Sequence, residues 1–436
     1  MNKRSVSAIV LAAGKGVRMK SREPKILSRL CGKSLLDTVL DNLLKVKALD
    51  EIIVVLNKDI LFLEKTLREK SKKIKVAVQV KPLGTADAVK AALAKIPKKS
   101  TDIFVIGADI VLFKISSIQA LISMHLNSDK AATLITAISD SPHGYGRIIR
   151  NKAGQVEAIR EEVDLGEQEK DIGEINSGIY VFKKKELLES LKYIKPSEIK
   201  KEYYLTDAIS ILSAKGVETV AAETMEEVMG INSPSDLARA VKIQNLRTIG
   251  EFLMNGVKII DPQTTYIENG VTIGEDSVIH PFTYIETEVR IGKNCSIGPF
   301  ARLRKGVDLA DRVSVGNFVE LSRAKVGSGT IMKHFCYLGD SELGNNVNVG
   351  AGTVTANYDG KNKNKTIIED DVFIGCDTVL IAPVKVGKKA VTAAGAVLAK
   401  KRNVPGGKLA IGVPARITEL KRKASGNMLL KRYKKH

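Results

Sequence analysis

The chain has 436 residues, 44% of them hydrophobic and 27% charged, with a formal net charge of +20. That length suits about two or three domains, and no run approaches the ~18 consecutive apolar residues of a membrane helix, which argues against membrane insertion. The four cysteines, Cys31, Cys295, Cys336 and Cys376, form no Cys-x-x-Cys pair, Trp is absent, and much of the basic excess lies between Lys421 and Lys435; a zinc site, a disulfide framework and a base-stacking nucleic-acid platform are all unsupported.

From the amino terminus, nothing before Val10 has the apolar core and small-residue site of a signal peptide, so a cytoplasmic protein is expected. Strands are predicted at Ser7 to Leu11, Ile52 to Leu56, Lys75 to Val80, Ile103 to Ile106, Ala132 to Ile138 and Gly178 to Phe182. Amphipathic segments such as Leu36 to Val46 and Ala86 to Ala94 lie between them. This alternation predicts an α/β domain with a mostly parallel sheet, whose ligands bind beyond the carboxyl ends of the strands. Directly after the first strand comes Leu11-Ala12-Ala13-Gly14-Lys15-Gly16-Val17-Arg18-Met19, then Pro24-Lys25. Glycines at a strand-to-helix turn let backbone N–H groups approach phosphate oxygens, and Lys15, Arg18 and Lys25 supply positive charge. A lone Gly-x-Gly also fits an ordinary tight turn, and the motif is neither a dinucleotide fingerprint nor a P-loop.

Residues 233 to 256 read as one helix, capped by Ser233 or Ser235, with a stripe of Leu237, Val241, Leu246, Ile249 and Leu253 and a stop at Asn255-Gly256. Beyond it, Ile267, Ile273, Ile279, Ile285, Ile291, Ile297, Leu303, Leu309, Val315 and Leu321 recur at every sixth position. Neither helix nor half-buried strand repeats this way, and a six-residue period predicts a parallel β-helix, each short strand laying one aliphatic side chain into the core. The register slips once, resumes through Leu338 and Leu343, and after a gap continues from Ile368 to Val386. Glycine often follows the aliphatic residue, as at Gly274, Gly292, Gly298, Gly316 and Gly350, which predicts a corner with an unusual backbone conformation at those glycines. The lysine-rich break from Tyr358 to Lys365 predicts a projecting loop suited to an anion. His334 stands fourteen residues after Glu320, close to one coil, and an imidazole of ordinary pKa ~6.5 can accept a proton near neutrality. A lone β-helix histidine also fits a surface or packing role.

The Leu-Ala-Ala-Gly-x-Gly-x-Arg-Met motif with its Pro-Lys resembles the signature of sugar-1-phosphate nucleotidyltransferases. The whole order is similar to the bacterial bifunctional N-acetylglucosamine-1-phosphate uridyltransferase and glucosamine-1-phosphate N-acetyltransferase family. The resemblance covers almost the whole chain. It implies a Rossmann-like α/β nucleotidyltransferase domain over 1–232, a linker helix over 233–258, a left-handed parallel β-helix acetyltransferase domain over 259–416 and a basic tail over 417–436. In the first domain it implies that Leu11, Ala12, Ala13, Gly14, Arg18 and Lys25 meet the nucleotide, with Arg18 and Lys25 catalytic, and that Gln79, Gly84 and Thr85 contact uracil. Asp109 and Asn232 would hold Mg²⁺, Asn232 also meeting substrate, and Gly146, Glu161 and Asn176 would line the sugar pocket. In the β-helix it implies His334 as general base and Glu320 as its orienter. Arg304 and Lys363 would meet the sugar phosphate, Tyr337, Asn348, Asn357 and Tyr358 the sugar, and Ala351, Cys376 and Ala394 acetyl-CoA.

The implied enzyme is a homotrimer using UTP, glucosamine-1-phosphate, N-acetylglucosamine-1-phosphate and acetyl-CoA, with no specific nucleic-acid partner. Where the family usually has a phosphate-binding Lys this chain has Ser322 followed by Arg323; Cys376 replaces the usual Ser or Thr, and Asp87 a His. Two alternatives stand beside this expectation: a nucleotidyltransferase whose β-helix is only an oligomerisation or regulatory scaffold, and a non-enzymatic subunit binding RNA through its tail.

Overall fold

The structure is a computed structural model that describes residues 4–420, so the basic tail from 421 onward lies outside the described residues. The chain forms two compact units, Met1–Ile243 and Gln244–His436.

The first unit is built on a nine-stranded sheet. Its main path runs Val217–Ala221, Ala132–Ile138, Glu174–Lys183, Asp102–Gly107, Val6–Leu11, Leu49–Leu56, Ile74–Val78. Every neighbouring pair on this path is parallel except those made by Glu174–Lys183, which is antiparallel to both its neighbours. Side chains alternate across a strand: in the first strand Val6, Ala8 and Val10 enter one core and Ile9 the other. Helices cover both faces, which is why these strands read as almost unbroken apolar runs. Each predicted strand is present. The antiparallel hairpin of Arg147–Arg150 and Val156–Arg160 was not predicted, because its short strands each bury few apolar residues.

The helix Pro234–Met254 begins where Ser233 Oγ accepts the Asp236 N–H at 3.2 Å. Leu237 and Val241 pack in the first unit. In the second unit Ile249 is in the core, but Phe252 packs beside it in place of the predicted Leu253, which is exposed. The buried Asn245 imitates a strand: its Nδ2 donates to the Thr265 carbonyl at 2.7 Å and its Oδ1 accepts the Ile267 N–H at 2.9 Å, closing the start of the first full coil.

The second unit is a left-handed parallel β-helix of three sheets with ten, eight and seven short strands, parallel throughout except for the last strand of the ten-stranded sheet. Ile267, Ile285, Leu303, Leu321 and Leu338 are register partners in one sheet, so the six-residue period is three strands per coil. Nine of the ten predicted aliphatics are fully buried and Ile273 partly; each full burial contributes ~1.5–3 kcal/mol before chain entropy. The pairing of Leu309 with Val326 is the first to fall one residue short, and the pairing of Leu343 with Ile368 spans the inserted loop.

The glycine expectation needs correction. Of the glycines named for it, only Gly298 has positive φ, and the left-handed residue instead falls three places after the core aliphatic, at Asp276, Phe282, Glu288, Asn294, Phe300, Arg312 and Phe318. The glycines are required by crowding between coils: a Cβ on Gly274 would lie 2.7 Å from the Gly292 carbonyl carbon, and one on Gly316 only 1.9 Å from the Lys333 carbonyl oxygen. The left-handed conformation costs a non-glycine residue ~1–2 kcal/mol. Stacking of Phe282 on Phe300 and of Phe300 on Phe318, with centroids 4.7 and 5.1 Å apart, offsets part of that cost. At the far end Lys408–Ile411 pairs parallel with Val391–Thr392, whereas Arg416–Glu419 turns back antiparallel on it and is exposed throughout.

Candidate active sites

In the first unit the turn after the first strand opens onto a cavity of ≈ 380 Å³. Ala12 N–H bonds the Val55 carbonyl at 3.0 Å and Asn57 Nδ2 the Ala13 carbonyl at 2.9 Å, fixing the turn while leaving Gly14 open to solvent. Gly16 has φ +62, and a Cβ there would lie 2.5 Å from Lys25 Cβ. Its lack of a side chain thus lets Lys25 swing under the turn.

Lys25 Nζ donates to Asp109 Oδ2 at 2.6 Å and to Asn232 Oδ1 at 3.0 Å. Backbone geometry brings these partners together from far apart in sequence. Ile110 bridges Gly230, and Ile231 N–H bonds the Asp109 carbonyl at 3.0 Å, laying the Asn232 segment beside Asp109. Asp236 Oδ2 then accepts the N–H groups of Asn232 and Ser233 at 3.0 and 2.8 Å. Burial raises the Asp236 pKa, but these hydrogen bonds and the nearby positive charge of Arg18 outweigh it and hold the carboxyl below its ordinary value. Asp236 was not singled out from sequence; its signal is the Ser-x-x-Asp spacing of a helix start.

The cavity wall contains Leu11, Ala12, Ala13, Gly14, Lys25, Gln79, Gly84, Thr85, Asp109, Glu161 and Asn176 together. Thr85 Oγ1 accepts the Leu205 N–H at 2.8 Å. Gly146 is outside the wall but accepts the Asn176 N–H at 2.9 Å, and Arg18 is exposed beside the turn. The Tyr180 hydroxyl, missed in the sequence, lies 2.7 and 2.9 Å from the two amide atoms of Asn176. Burial raises the pKa of Glu161, the Thr206 hydroxyl donates to it at 2.9 Å, and Asp207, Asp164 and Glu202 add repulsion. Burial and the same acidic surroundings push the Tyr204 phenol up to about 12. The site therefore combines a cationic turn with a polar, partly acidic rear wall: phosphates suit the first and hydroxyl groups the second.

One ammonium already bonds both the Asp109 carboxylate and the Asn232 amide oxygen, so two hard oxygens converge where a small cation would be held. Among the described residues no group of three or more His, Cys, Asp or Glu side chains could hold a metal ion. The remaining ligands would have to be substrate and water oxygens.

On the β-helix, register places the candidates in files. Val349, Ile374 and Thr392 are partners, so Ala351, Cys376 and Ala394 lie one above another at the same corner. Asp377 N–H bonds the Ala351 carbonyl and Gly395 N–H the Cys376 carbonyl, each at 2.7 Å. Met332 pairs with Val349, so His334 is the preceding rung of the same file, one strand spacing of ~4.8 Å away. Tyr337 stands in register with Glu320, and the side chains of Tyr337 and Asn357 meet in the space a Cβ on Gly339 would occupy. Asn357 Nδ2 also donates to Asp340, and Asn348 is half-buried on the neighbouring sheet.

Glu320 is not joined to His334 by a hydrogen bond among the described residues; its carboxylate takes Arg304 Nη1 at 3.1 Å. The recess of ≈ 430 Å³ that Lys363 lines with Arg323, Lys325 and Lys365 does not include Arg304. Ser322 is buried with its hydroxyl unpartnered, whereas Arg323 forks onto Asp340 at 2.5 and 2.8 Å and holds that carboxyl below its ordinary pKa. The projecting loop is ordered by Asp359, which accepts from Asn362 N–H at 2.8 Å, Lys361 N–H at 3.1 Å and Asn364 Nδ2 at 2.9 Å. Tyr358 and Lys363 bridge across its neck, and the exposed Tyr358 hydroxyl donates to the Gly360 carbonyl at 2.6 Å.

Residues 7–228 match the nucleotidyl transferase family model, and residues 365–400 the hexapeptide repeat of succinyl-transferase. Bifunctional protein GlmU of Geobacillus sp. (strain WCH70) is 40% identical over 426 residues, covering 90% of this chain and 92% of that protein. The protein of the same name from Listeria monocytogenes (serovar 1/2a) is 39% identical over 429 residues, covering 90% and 93%. That of Clostridium perfringens (strain SM101 / Type A) is 39% identical over 438 residues, covering 93% and 95%. With a nucleotidyl transferase fold in one unit and a hexapeptide β-helix in the other, matched along nine-tenths of its length, the chain belongs to the GlmU family of bifunctional proteins.

Proposed function

We propose that the chain is a bifunctional enzyme of UDP-N-acetylglucosamine synthesis, acetylating glucosamine-1-phosphate on the β-helix and coupling the product to UTP in the α/β domain. The observation that carries the reading is that one chain holds both sets of groups, Lys25 with Asp109 and Asn232 in one unit and His334 in file with Ala351, Cys376 and Ala394 in the other. Residues 1–232 would do the uridylyl chemistry and 259–416 the acetyl chemistry, joined by 233–258 and followed by the basic tail of 417–436. A scaffold-only β-helix has no need of His334, Tyr337 and Asn357 together. We assign the enzyme to the cytoplasm as a homotrimer.

In uridylyl transfer, the turn at Leu11 to Gly14 receives the triphosphate with Arg18 and Lys25, while Gln79, Gly84 and Thr85 receive the base. Gly146, Glu161 and Asn176 orient the amino sugar. A phosphate oxygen of N-acetylglucosamine-1-phosphate attacks the α-phosphorus of UTP; the new P–O bond forms as the bond to the departing pyrophosphate breaks. Lys25 stabilises the charge that builds on the phosphate oxygens. Asp109 and Asn232 would hold Mg²⁺, which when bound would screen the triphosphate charge.

In acetyl transfer, the sugar amine attacks the thioester carbonyl of acetyl-CoA. His334 takes the amine proton as the C–N bond forms, and the C–S bond breaks to release CoA thiolate, which takes up a proton. Glu320 neutralises Arg304 beside the acceptor, Lys363 attracts its phosphate, and Tyr337, Asn348, Asn357 and Tyr358 surround the sugar. Incubating the full chain with glucosamine-1-phosphate, acetyl-CoA, UTP and Mg²⁺ tests the reading. Release of both free thiol and pyrophosphate is expected, the latter abolished by chelation, and release of neither refutes it.

A further inference from the structure

Gln79 lines the nucleotide cavity and is almost fully buried. Its backbone N–H is spent on the Leu56 carbonyl at 2.8 Å. Its side-chain Nε2 donates twice, to the Gly84 carbonyl at 3.0 Å and to Asp87 Oδ2 at 2.8 Å. Both partners are acceptors only, which fixes the amide orientation: the nitrogen must face them, and Oε1 faces the other way.

The two acceptors are themselves held. Gly84 has φ +114, and a Cβ there would lie 2.4 Å from the Tyr203 carbonyl oxygen. Tyr203 N–H bonds the Leu83 carbonyl at 2.8 Å and Ala86 N–H the Tyr203 carbonyl at 2.9 Å, so the Gly84 peptide cannot turn. Asp87 sits in the first turn of the helix Thr85–Ala92. Remove its carboxylate and only one acceptor is left to decide which way the Gln79 amide points.

We propose that Asp87 is a positioning residue for nucleobase selection, locking the Gln79 amide so that an acceptor oxygen meets the base. This rests on the uridylyl-transfer reading of the cavity and deepens it. Uracil carries N3–H, a donor that Oε1 accepts. Cytosine carries an unprotonated N3, so the same oxygen faces a lone pair and the pairing fails. Discrimination therefore comes from a proton-bearing ring nitrogen, and it is set by a carboxylate that never touches the nucleotide.

The test is equilibrium binding of UTP and of CTP to the full chain and to Asp87→Leu, Asp87→Ala and Asp87→Asn, with circular dichroism as the check of folding. The wild type should favour UTP by about 10–100-fold, the scale on which one buried hydrogen bond left unmade is felt. Asp87→Leu and Asp87→Ala should narrow the ratio about tenfold, mainly through tighter CTP binding, because the freed amide can present its nitrogen. Asp87→Asn should restore the wild-type ratio, since its carbonyl oxygen can accept from Nε2. A selective wild type with an unchanged ratio in Leu and Ala overturns the proposal alone, as does an Asn variant that loses the ratio as fully as they do. A folded wild type that binds neither nucleotide overturns the uridylyl-transfer reading and the proposal with it.

Discussion

Lys25→Met removes the ammonium that bonds both Asp109 and Asn232 while keeping a side chain of similar reach. At 2.6 Å and an effective dielectric constant of ~20, the attraction between Lys25 and Asp109 is ~6 kcal/mol before desolvation is charged against it. The same ammonium at hydrogen-bonding distance from phosphate oxygens acts on charge that grows as pyrophosphate departs. Loss of one such preorganised donor typically costs ~3–4 kcal/mol of transition-state stabilisation, or about 10²–10³ in rate. Pyrophosphate release at saturating UTP should fall by that factor. Free-thiol release from acetyl-CoA, measured on the same sample, should remain near wild type, because the β-helix has its own core, and this guards against mistaking misfolding for lost chemistry. Pyrophosphate release within threefold of wild type, with acetyl transfer intact, would refute the assignment of Lys25.

The converse variant, His334→Ala, should lower acetyl transfer about 10²–10⁴-fold, the usual worth of a general base, and leave uridylyl transfer unchanged; a variant with full thiol release would remove His334 from the mechanism. Gly316→Ala puts a methyl group 1.9 Å from the Lys333 carbonyl, an overpacking that should cost about 3 kcal/mol and show in thermal unfolding as a lower midpoint for the β-helix. A third variant addresses pH. Burial raises the Asp102 pKa, but hydrogen bonds from His125, Arg4 and Thr101 outweigh it and lower the carboxyl to about 2. A depressed carboxyl stabilises the fold above its unfolded value of ~3.9 and loses that contribution as pH falls toward 2, a difference of about 2 kcal/mol. Asp102→Asn should therefore be less stable than wild type at pH 7 by roughly that amount in urea titration, with the gap closing between pH 4 and 2; a gap independent of pH would contradict the assignment.

The β-helix was legible because one side chain in six must enter the axial core, a rule no neighbouring structure can override. Its corners were not. Phe282, Phe300 and Phe318 carry the left-handed conformation, and nothing about phenylalanine announces it, since the stacking that compensates comes from adjacent coils. Lys25 and Asp109 were each readable as candidates from their place after a strand. Their contact with Asn232 arises from a bridge between Ile110 and Gly230, a pairing across more than a hundred residues that local patterns cannot encode. Glu320 shows the same limit: its register partner on the next coil is Tyr337, and its oxygen faces Arg304 from the coil below. Asp87 looked like a mere departure until Gln79 was seen donating to it.

A parallel ladder is its own template, because the last coil offers the next strand the same face that the coil before offered to it. Left open, the carboxyl end of this unit could accept another chain in register and continue as a fibre. The strand Arg416–Glu419 reverses direction against Lys408–Ile411, so an arriving parallel strand finds its hydrogen-bonding groups out of phase on that sheet. Among the described residues that sheet therefore ends on a strand of the wrong direction for the coil to copy itself onward.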